Sequence, residues 1–311
     1  MMSSSSYIVR NYRPSDFEDY VKLSIEAKKL ASTGRCISAQ ALSEDLGRPN
    51  YSPEQDLFVV EMSGKIVGFI NTTPELITRR ILIDCLVHPE HRRKGLAKEL
   101  LDYATHRAKE LKAKVVQADI RQDNVIAKKV LSRLGFRPVR EFPELRLQLD
   151  EAPLPDATHH NYVYRHLQPG EEAVLAQIQN RCFADTWGYN PNTIEEIAYS
   201  LQLSHCSPED VALIYDGDKP VGYCWTKIDC ETEVTDGKRK GRILMIGVDP
   251  DYRGKEIGKI ALRAGLAYLK NKGVQVVELR VDSENKVARA LYRSAGFKTW
   301  TNSLCYEKAI D

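Results

Sequence analysis

No stretch of this chain approaches the ~18–20 consecutive apolar residues that a membrane-spanning helix needs. No membrane partner is therefore expected. The first residues, Met1-Met2-Ser3-Ser4-Ser5-Ser6, lack the basic segment and apolar core of a secretory leader. Cysteines number seven, at 36, 85, 182, 206, 224, 230 and 305, and no two stand at C-x-x-C spacing. An odd count without that spacing argues against a disulfide framework or a zinc ribbon and for reduced thiols in a cytoplasmic protein. His88 and His91 lack a third and fourth ligand at sensible spacing, so no metal is expected and a solvated loop is the simpler reading. One-sided charge is missing too. With 45 Lys and Arg against 43 Asp and Glu, the net charge is +2, which speaks against a nucleic-acid partner. The G-x-x-x-x-G-K-[ST] loop of the NTPases is absent as well.

What the sequence does have is itself, twice. Its 311 residues suffice for two domains of the usual ~100–200 residues. Residues 81–114 and 243–273 each read as an apolar strand, x-Pro, a basic loop and an amphipathic helix. Residues 115–136 and 276–297 each read as a strand, an Asn and a short helix ending in Gly-Phe. Val87 and Val248, Pro89 and Pro250, Arg92 and Arg253, Asn124 and Asn285, and Gly135 and Gly296 are all 161 positions apart. Such a constant offset over five landmarks marks a duplication. Upstream, 57–68 and 211–222 both read as strand, Gly-containing turn, strand.

The Pro-rich, aperiodic stretch 150–160 separates the copies. The expected domains are 1–150 and 161–311, with 151–160 as linker. Each half runs helices, hairpin, strand, helix, strand, helix, strand, which predicts a mixed α/β (α+β) domain with helices packed on a largely antiparallel sheet.

In the first copy the loop Arg92-Arg93-Lys94-Gly95-Leu96-Ala97-Lys98 runs straight into a helix. In the second it is Arg253-Gly254-Lys255-Glu256-Ile257-Gly258-Lys259. Backbone N–H groups at a helix start have no partner within the helix, and the positive helix end suits a pyrophosphate. Basic side chains add charge-assisted bonds. The simpler alternative for such a loop is a solvated face.

With these blocks in view, the sequence resembles the GNAT superfamily of acetyltransferases, whose loop reads Arg/Gln-x-x-Gly-x-Gly/Ala. Arg92, Gly95 and Ala97 fit it in full; Arg253 and Gly258 fit, with Glu256 in place of the first Gly. The two-copy arrangement is similar to that of the tandem, mycothiol synthase-like members. The resemblance implies acetyl-CoA as co-substrate. Its pantetheine arm would pair with backbone at Leu86 and Val87, or at Gly247 and Val248. Its pyrophosphate would lie on 92–98 or 253–259, and Asn124 or Asn285 would position the arm from the other side.

The resemblance also implies direct attack by an amine on the thioester, with a Tyr as the acid for the departing thiolate. Tyr292 stands where the family's Tyr stands; the first copy has Leu131, which has no proton to give. The C-terminal half is thus expected to be catalytic and the N-terminal half degenerate. Packing against the sheet is the alternative role for Tyr292. Glu256 brings negative charge to a phosphate loop. If its backbone is helical no Gly is required, and Lys255 and Lys259 can neutralise it. No general base is legible: Asp84, Asp229, Glu231, Glu233 and Glu278 are all within range of surface roles. Trp187, Tyr189, Tyr223 and Trp225 are expected on the acceptor side, with core packing as the alternative, and the 231–236 acidic stretch could attract a cationic amine. The expected partner is a small-molecule amine. A peptide acetyltransferase or a non-catalytic acetyl-CoA sensor are the competing readings, the latter motivated by Leu131 and Glu256.

Overall fold

The computed structural model describes residues 6–31, 38–149, 154, 161–229 and 237–310. In chain order the first half contains β1 (Ile8–Asn11), α1 (Phe17–Ala31), α2 (Ala39–Leu46), α3 (Pro53–Asp56), β2 (Leu57–Met62), β3 (Lys65–Glu75), β4 (Arg80–Val87), α4 (Leu96–Glu110), β5 (Val115–Arg121), α5 (Val125–Arg133) and β6 (Arg137–Gln148). The second contains β7 (Val163–His166), α6 (Glu172–Phe183), α7 (Ile194–Gln202), β8 (Val211–Asp216), β9 (Lys219–Ile228), β10 (Lys240–Val248), α8 (Ile257–Asn271), β11 (Val276–Arg280), α9 (Lys286–Ser294) and β12 (Lys298–Ala309). The two halves share the mixed α/β plan that the repeat predicted. Among the described residues no helix is long and apolar enough to cross a membrane.

Local sequence explains most of these elements. Ser63 and Gly64, both left-handed (φ 51° and 77°), make the tight turn between β2 and β3. On α4, Leu96, Leu100, Leu101, Ala104 and Ala108 form one buried stripe at helical spacing. On α8 the stripe runs Ile257, Ile260, Ala261, Ala264 and onward.

The chain divides into two compact units that do not follow the expected domain limits. Unit 1 comprises 1–140 together with 304–311; unit 2 comprises 141–303. The cause is sheet pairing. Residues 144–148 of β6 pair antiparallel with β11, Val276 opposite Gln148 and Arg280 opposite Glu144. Leu145, Leu147 and Leu149 enter the core of unit 2 with α8 and α9, at roughly 2 kcal/mol per buried leucine. Conversely, the end of β12 lies beside β5 in unit 1. There Gln117 Nε2 donates to Glu307 at 2.7 Å and Ile310 N to the Lys114 carbonyl at 2.9 Å. Tyr306 is buried in the unit 1 core. Each half's last strand thus ends in the other half's unit. The expected linker 151–160 lies outside the described residues except for Leu154.

Within unit 1 the strand order is β1-β2-β3-β4-β5 and then the end of β12; within unit 2 it is β6-β11-β10-β9-β8-β7. In both, the two central strands are parallel and part company early. β4 pairs with β5 only over Arg80–Leu82, and β10 with β11 only over Lys240–Ile243. Beyond those pairs a wedge opens between the strands, facing the loop that enters α4 or α8.

Candidate active site

The two loops share one backbone shape. Arg93 and Gly95 have φ 64° and 83°; at the equivalent positions Gly254 and Glu256 have φ 78° and 63°. Each loop therefore alternates two left-handed residues before its helix. Such an alternation turns successive N–H groups inward as an anion-binding concavity. Each copy supplies one glycine to this pair, at opposite positions. Neither helix start carries a side-chain cap, with Gly95 and Glu256 as the N-cap residues. Uncapped donors at a positive helix end suit an anionic ligand. The expectation that Glu256 sits in ordinary helical backbone is corrected: it is left-handed, where a non-glycine residue costs ~1–2 kcal/mol. Its carboxylate pairs with Lys259 Nζ, which offsets the negative charge.

The basic side chains are differently employed than the loop sequence suggested. Arg92 Nε donates to the Val87 carbonyl at 3.0 Å, and Arg253 Nη2 to the Cys182 carbonyl at 2.9 Å. Both brace the loop. Lys94 donates to the Tyr7 hydroxyl at 2.5 Å, Lys98 pairs with Asp102 at 2.8 Å, and Lys255 lies over the Tyr252 ring at 4.5 Å. Arg181 on α6 ties down the second loop through Asp249 and Asp251, at 2.5 Å each. Burial opposes it, yet the Arg181 bond holds the Asp249 carboxyl below the usual range. Leu96 and Ile257 point into the cores, 3% and 1% exposed, so only their backbone faces the loop. Ala97 packs against the unit 1 core, and Gly258 sits beside Leu291. Asn124 and Asn285 cap α5 and α9, their Oδ1 atoms accepting from Ala127 N and Ala288 N at 3.0 Å each. Capping is the role this geometry gives them.

The strands that would carry the pantetheine arm differ between units. From Gly68 opposite Val87 to Glu75 opposite Arg80, β3 and β4 pair without interruption. β9 and β10 do not: the register slips between Ile243 and Met245, and Leu244 bulges out, 45% exposed. A bulge frees backbone groups from the ladder and re-aims the residues beyond it. Past Leu244, Ile246 and Val248 turn to the α8–α9 side while Met245 and Gly247 face α6. Gly247 has no room for more: an added Cβ would stand 2.8 Å from both Cys182 Cβ and Tyr223 Cε1. Its counterpart in unit 1 is Leu86, paired with Phe69.

Tyr292 lies on α9 with its ring buried edge-on against Phe297, centroids 5.8 Å apart. Burial first, and neighbouring Cys224 second, raise its hydroxyl above the ordinary tyrosine value. The hydroxyl therefore stays protonated at neutral pH.

Of the four aromatics expected together, three stay in one cluster and Trp187 stands apart: Phe183 meets both Tyr189 and Tyr223, and Tyr223 and Trp225 share a core. Trp187 is exposed and meets Phe142, centroids 6.2 Å apart. Tyr189 stacks on Phe183 at 5.3 Å and donates to Asn180 Oδ1 at 2.7 Å. Tyr223 and Trp225 belong to the core beneath α6, 0% and 6% exposed, so core packing is their placement. Among the described residues, their polar atoms and Gln179 Oε1 are buried with no hydrogen-bond partner. Of the carboxylates, Asp229 pairs with Arg242 at 3.0 Å and Glu278 with Arg146 at 2.5 Å. Asp84 is exposed on β4. Glu231, Glu233 and the rest of 231–236 lie outside the described residues. His88 and His91 do have a third neighbour: Glu90 stands with them, ligand atoms within 4.8 Å of one another. Sequence reasoning passed over Phe142, Glu144, Arg280 and Ser303. All four belong to unit 2, and no local signal shows that β6 joins that sheet.

The acetyltransferase (GNAT) family model matches this chain at residues 30–136 and again at 173–297. The mycothiol acetyltransferase of Stackebrandtia nassauensis is 29% identical over 269 residues, covering 85% of this chain and 86% of that protein. The mycothiol acetyltransferase of Thermobispora bispora is 32% identical over 228 residues, covering 72% and 75%. Among solved structures, a GCN5-related N-acetyltransferase from Sphaerobacter thermophilus matches with a TM-score of 0.72 at 24% identity, covering 98% of this chain and 96% of that one. With two loops of the same left-handed backbone shape, two parted strand pairs and two family matches, the chain belongs to the acetyltransferase (GNAT) family: it is an acetyl-CoA-dependent acetyltransferase carrying the family's domain twice.

Proposed function

We propose that unit 2 carries out the transfer, moving the acetyl group of acetyl-CoA to a primary amine of a small molecule in the cytoplasm, while unit 1 has lost the chemistry. The observation that carries this reading is the bulge at Leu244, present in β10 and absent from β4. It frees backbone groups at the mouth of the wedge, where a polarised thioester carbonyl needs donors that the ladder has not consumed. Tyr292 supports the same assignment, since Leu131 occupies its place in unit 1.

The residues that would hold the co-substrate are 92–98, Leu86 and Val87 in unit 1, and 253–259, Gly247 and Val248 in unit 2. Acetyl-CoA brings the activated acyl group. Backbone N–H groups of 254–258 hold its pyrophosphate, and Gly247 and Val248 align its arm. Tyr292 gives a proton to the departing sulfur. An acceptor related to the acetyl-free precursor of mycothiol is favoured by the relatives' shared name. The test measures thiol release over that precursor and a panel of simpler primary amines. Tyr292→Phe should lower turnover ~10²–10⁴-fold, while Gly95→Glu leaves it near wild type. If acetyl-CoA binds, no amine drives turnover and Gly95→Glu abolishes binding, the non-catalytic sensor reading replaces this one.

A further inference from the structure

Resting on the reading that unit 2 is the catalytic half, we propose that Glu144 takes the proton from the acceptor amine, with Ser303 as its positioning residue. The unit 2 sheet has two chemically distinct faces. Leu145, Leu147, Val277, Leu279 and Val281 turn toward α8 and α9 and are buried there with Tyr292. Alternation along a strand therefore sends Glu144 and Arg146, and with them Glu278 and Arg280, to the opposite face. The acid and this second set of groups thus stand on opposite faces of the wedge. Attack on a thioester needs that division: the nucleophile approaches one face of the carbonyl while sulfur leaves toward the acid.

Position singles out Glu144 along this face. The wedge opens past the Ile243–Leu279 pair, the last between β10 and β11. Arg280 is the next residue on β11, and Glu144 is directly opposite it on β6. The Glu144 backbone is thus one strand spacing, about 4.8 Å, from the edge of the wedge. Its neighbour Phe142 meets Trp187, and the Arg280 guanidinium lies over the Phe142 ring at 4.1 Å. These groups form a polar and aromatic border on the side where an acceptor has to enter.

Chemistry singles it out again. Glu278 is bound by Arg146 through both Nε, at 2.9 Å, and Nη2, at 2.5 Å. Asp229 is held by Arg242. Glu144 instead accepts a hydrogen bond from the neutral Ser303 hydroxyl, which is 5% exposed. A neutral donor fixes a carboxylate without removing its capacity to accept a proton. The charged groups facing it are Arg146 on its own strand and Glu278 and Arg280 on β11; β12 presents Ser303.

In the balanced step, the ammonium gives one proton to Glu144 and becomes a nucleophile. The C–N bond forms and the C–S bond breaks. Tyr292 protonates the sulfur, and the second amine proton restores Tyr292. Glu144 returns its proton to solvent, leaving amide, CoA thiol and one released proton.

The experiment measures kcat/KM against pH for the full chain, using the same amine panel, with wild type, Glu144→Gln and Ser303→Ala. Acetyl-CoA affinity and thermal unfolding serve as controls. Glu144→Gln should lower kcat/KM at pH 7 by ~10²–10⁴-fold, lose the acidic limb of the profile, and recover as pH rises and the amine arrives already neutral. Acetyl-CoA binding should be unchanged. Ser303→Ala should retain the limb with a smaller loss. A Glu144→Gln enzyme with the wild-type profile, or a loss equal at every pH, overturns the assignment of Glu144 and leaves unit 2 as the catalytic half. A wild type that turns over no amine overturns both.

Discussion

At the scale of single residues, the two loops that lead into α4 and α8 show how the same backbone is reached with different side chains. Arg93 and Glu256 are left-handed without being glycine, while Gly95 and Gly254 fill the matching positions. The Glu256 site has φ 63°, and its pair with Lys259 is nearly half exposed on both sides, so the pair contributes little. Glu256→Gly should therefore raise stability by ~1 kcal/mol, with acetyl-CoA affinity held or improved. Urea denaturation and calorimetric titration check this; a destabilised variant would show that the Lys259 contact outweighs backbone strain. In the sequence, Glu256 was visible as a departure from the family loop. Its conformation was not, because a side chain's identity does not report φ. Tyr292 was legible through its offset of 161 from Leu131. The firmness with which its proton is held required the burial against Phe297 to be seen.

At the scale of elements, the difference between β4 and β10 separates the two halves. Their sequences both read as apolar strands ending in Val-x-Pro, and nothing in either announces a bulge. The slip at Leu244 arises from the pairing of β10 with β9, a contact made across the sheet. Removing Leu244 should restore an unbroken ladder like that of β4. The variant is expected to fold and to bind acetyl-CoA at the loop while losing most turnover. Retained turnover in the deletion, measured by thiol release, would show that the bulge is incidental. Tyr223 and Trp225 are two apart on β9 and so share a face; that face proved to be the one that α6 covers. Trp187 lies in the segment after α6 and reaches solvent.

At the scale of each whole unit, buried tyrosines shape the response to pH. Burial raises Tyr20, Tyr51, Tyr223 and Tyr292 above the ordinary value, with desolvation the largest cause in each. A group with a raised folded pKa holds its full stabilisation below the unfolded value and loses it as pH climbs toward the folded one. For tyrosine the loss begins near pH ~10. Urea midpoints should thus be flat from about pH 8 to 9.5 and fall steeply above ~10, in both units. Asp16 works in the other sense. Its hydrogen bond from Arg10 keeps the carboxyl low, so its contribution is present above the ordinary carboxylate range and fades in acid. A midpoint that holds through about pH 11 would contradict the burial of these rings.

The sequence by itself determined the duplication, the mixed α/β plan of each half, the two basic loops that open α4 and α8, and the Tyr at 292 against the Leu at 131. All of these rest on neighbours in sequence: helical spacing, turn residues, a constant offset. The tertiary structure alone decided which strand completes which unit. The pattern Phe142-x-Glu144-x-Arg146 says that β6 has two faces, but a strand's alternation does not name the strand it pairs with. For that reason the domain limits near 150 and 161 became 140 and 303. For the same reason Glu144 and Ser303, 159 residues apart, meet only once the chain has folded.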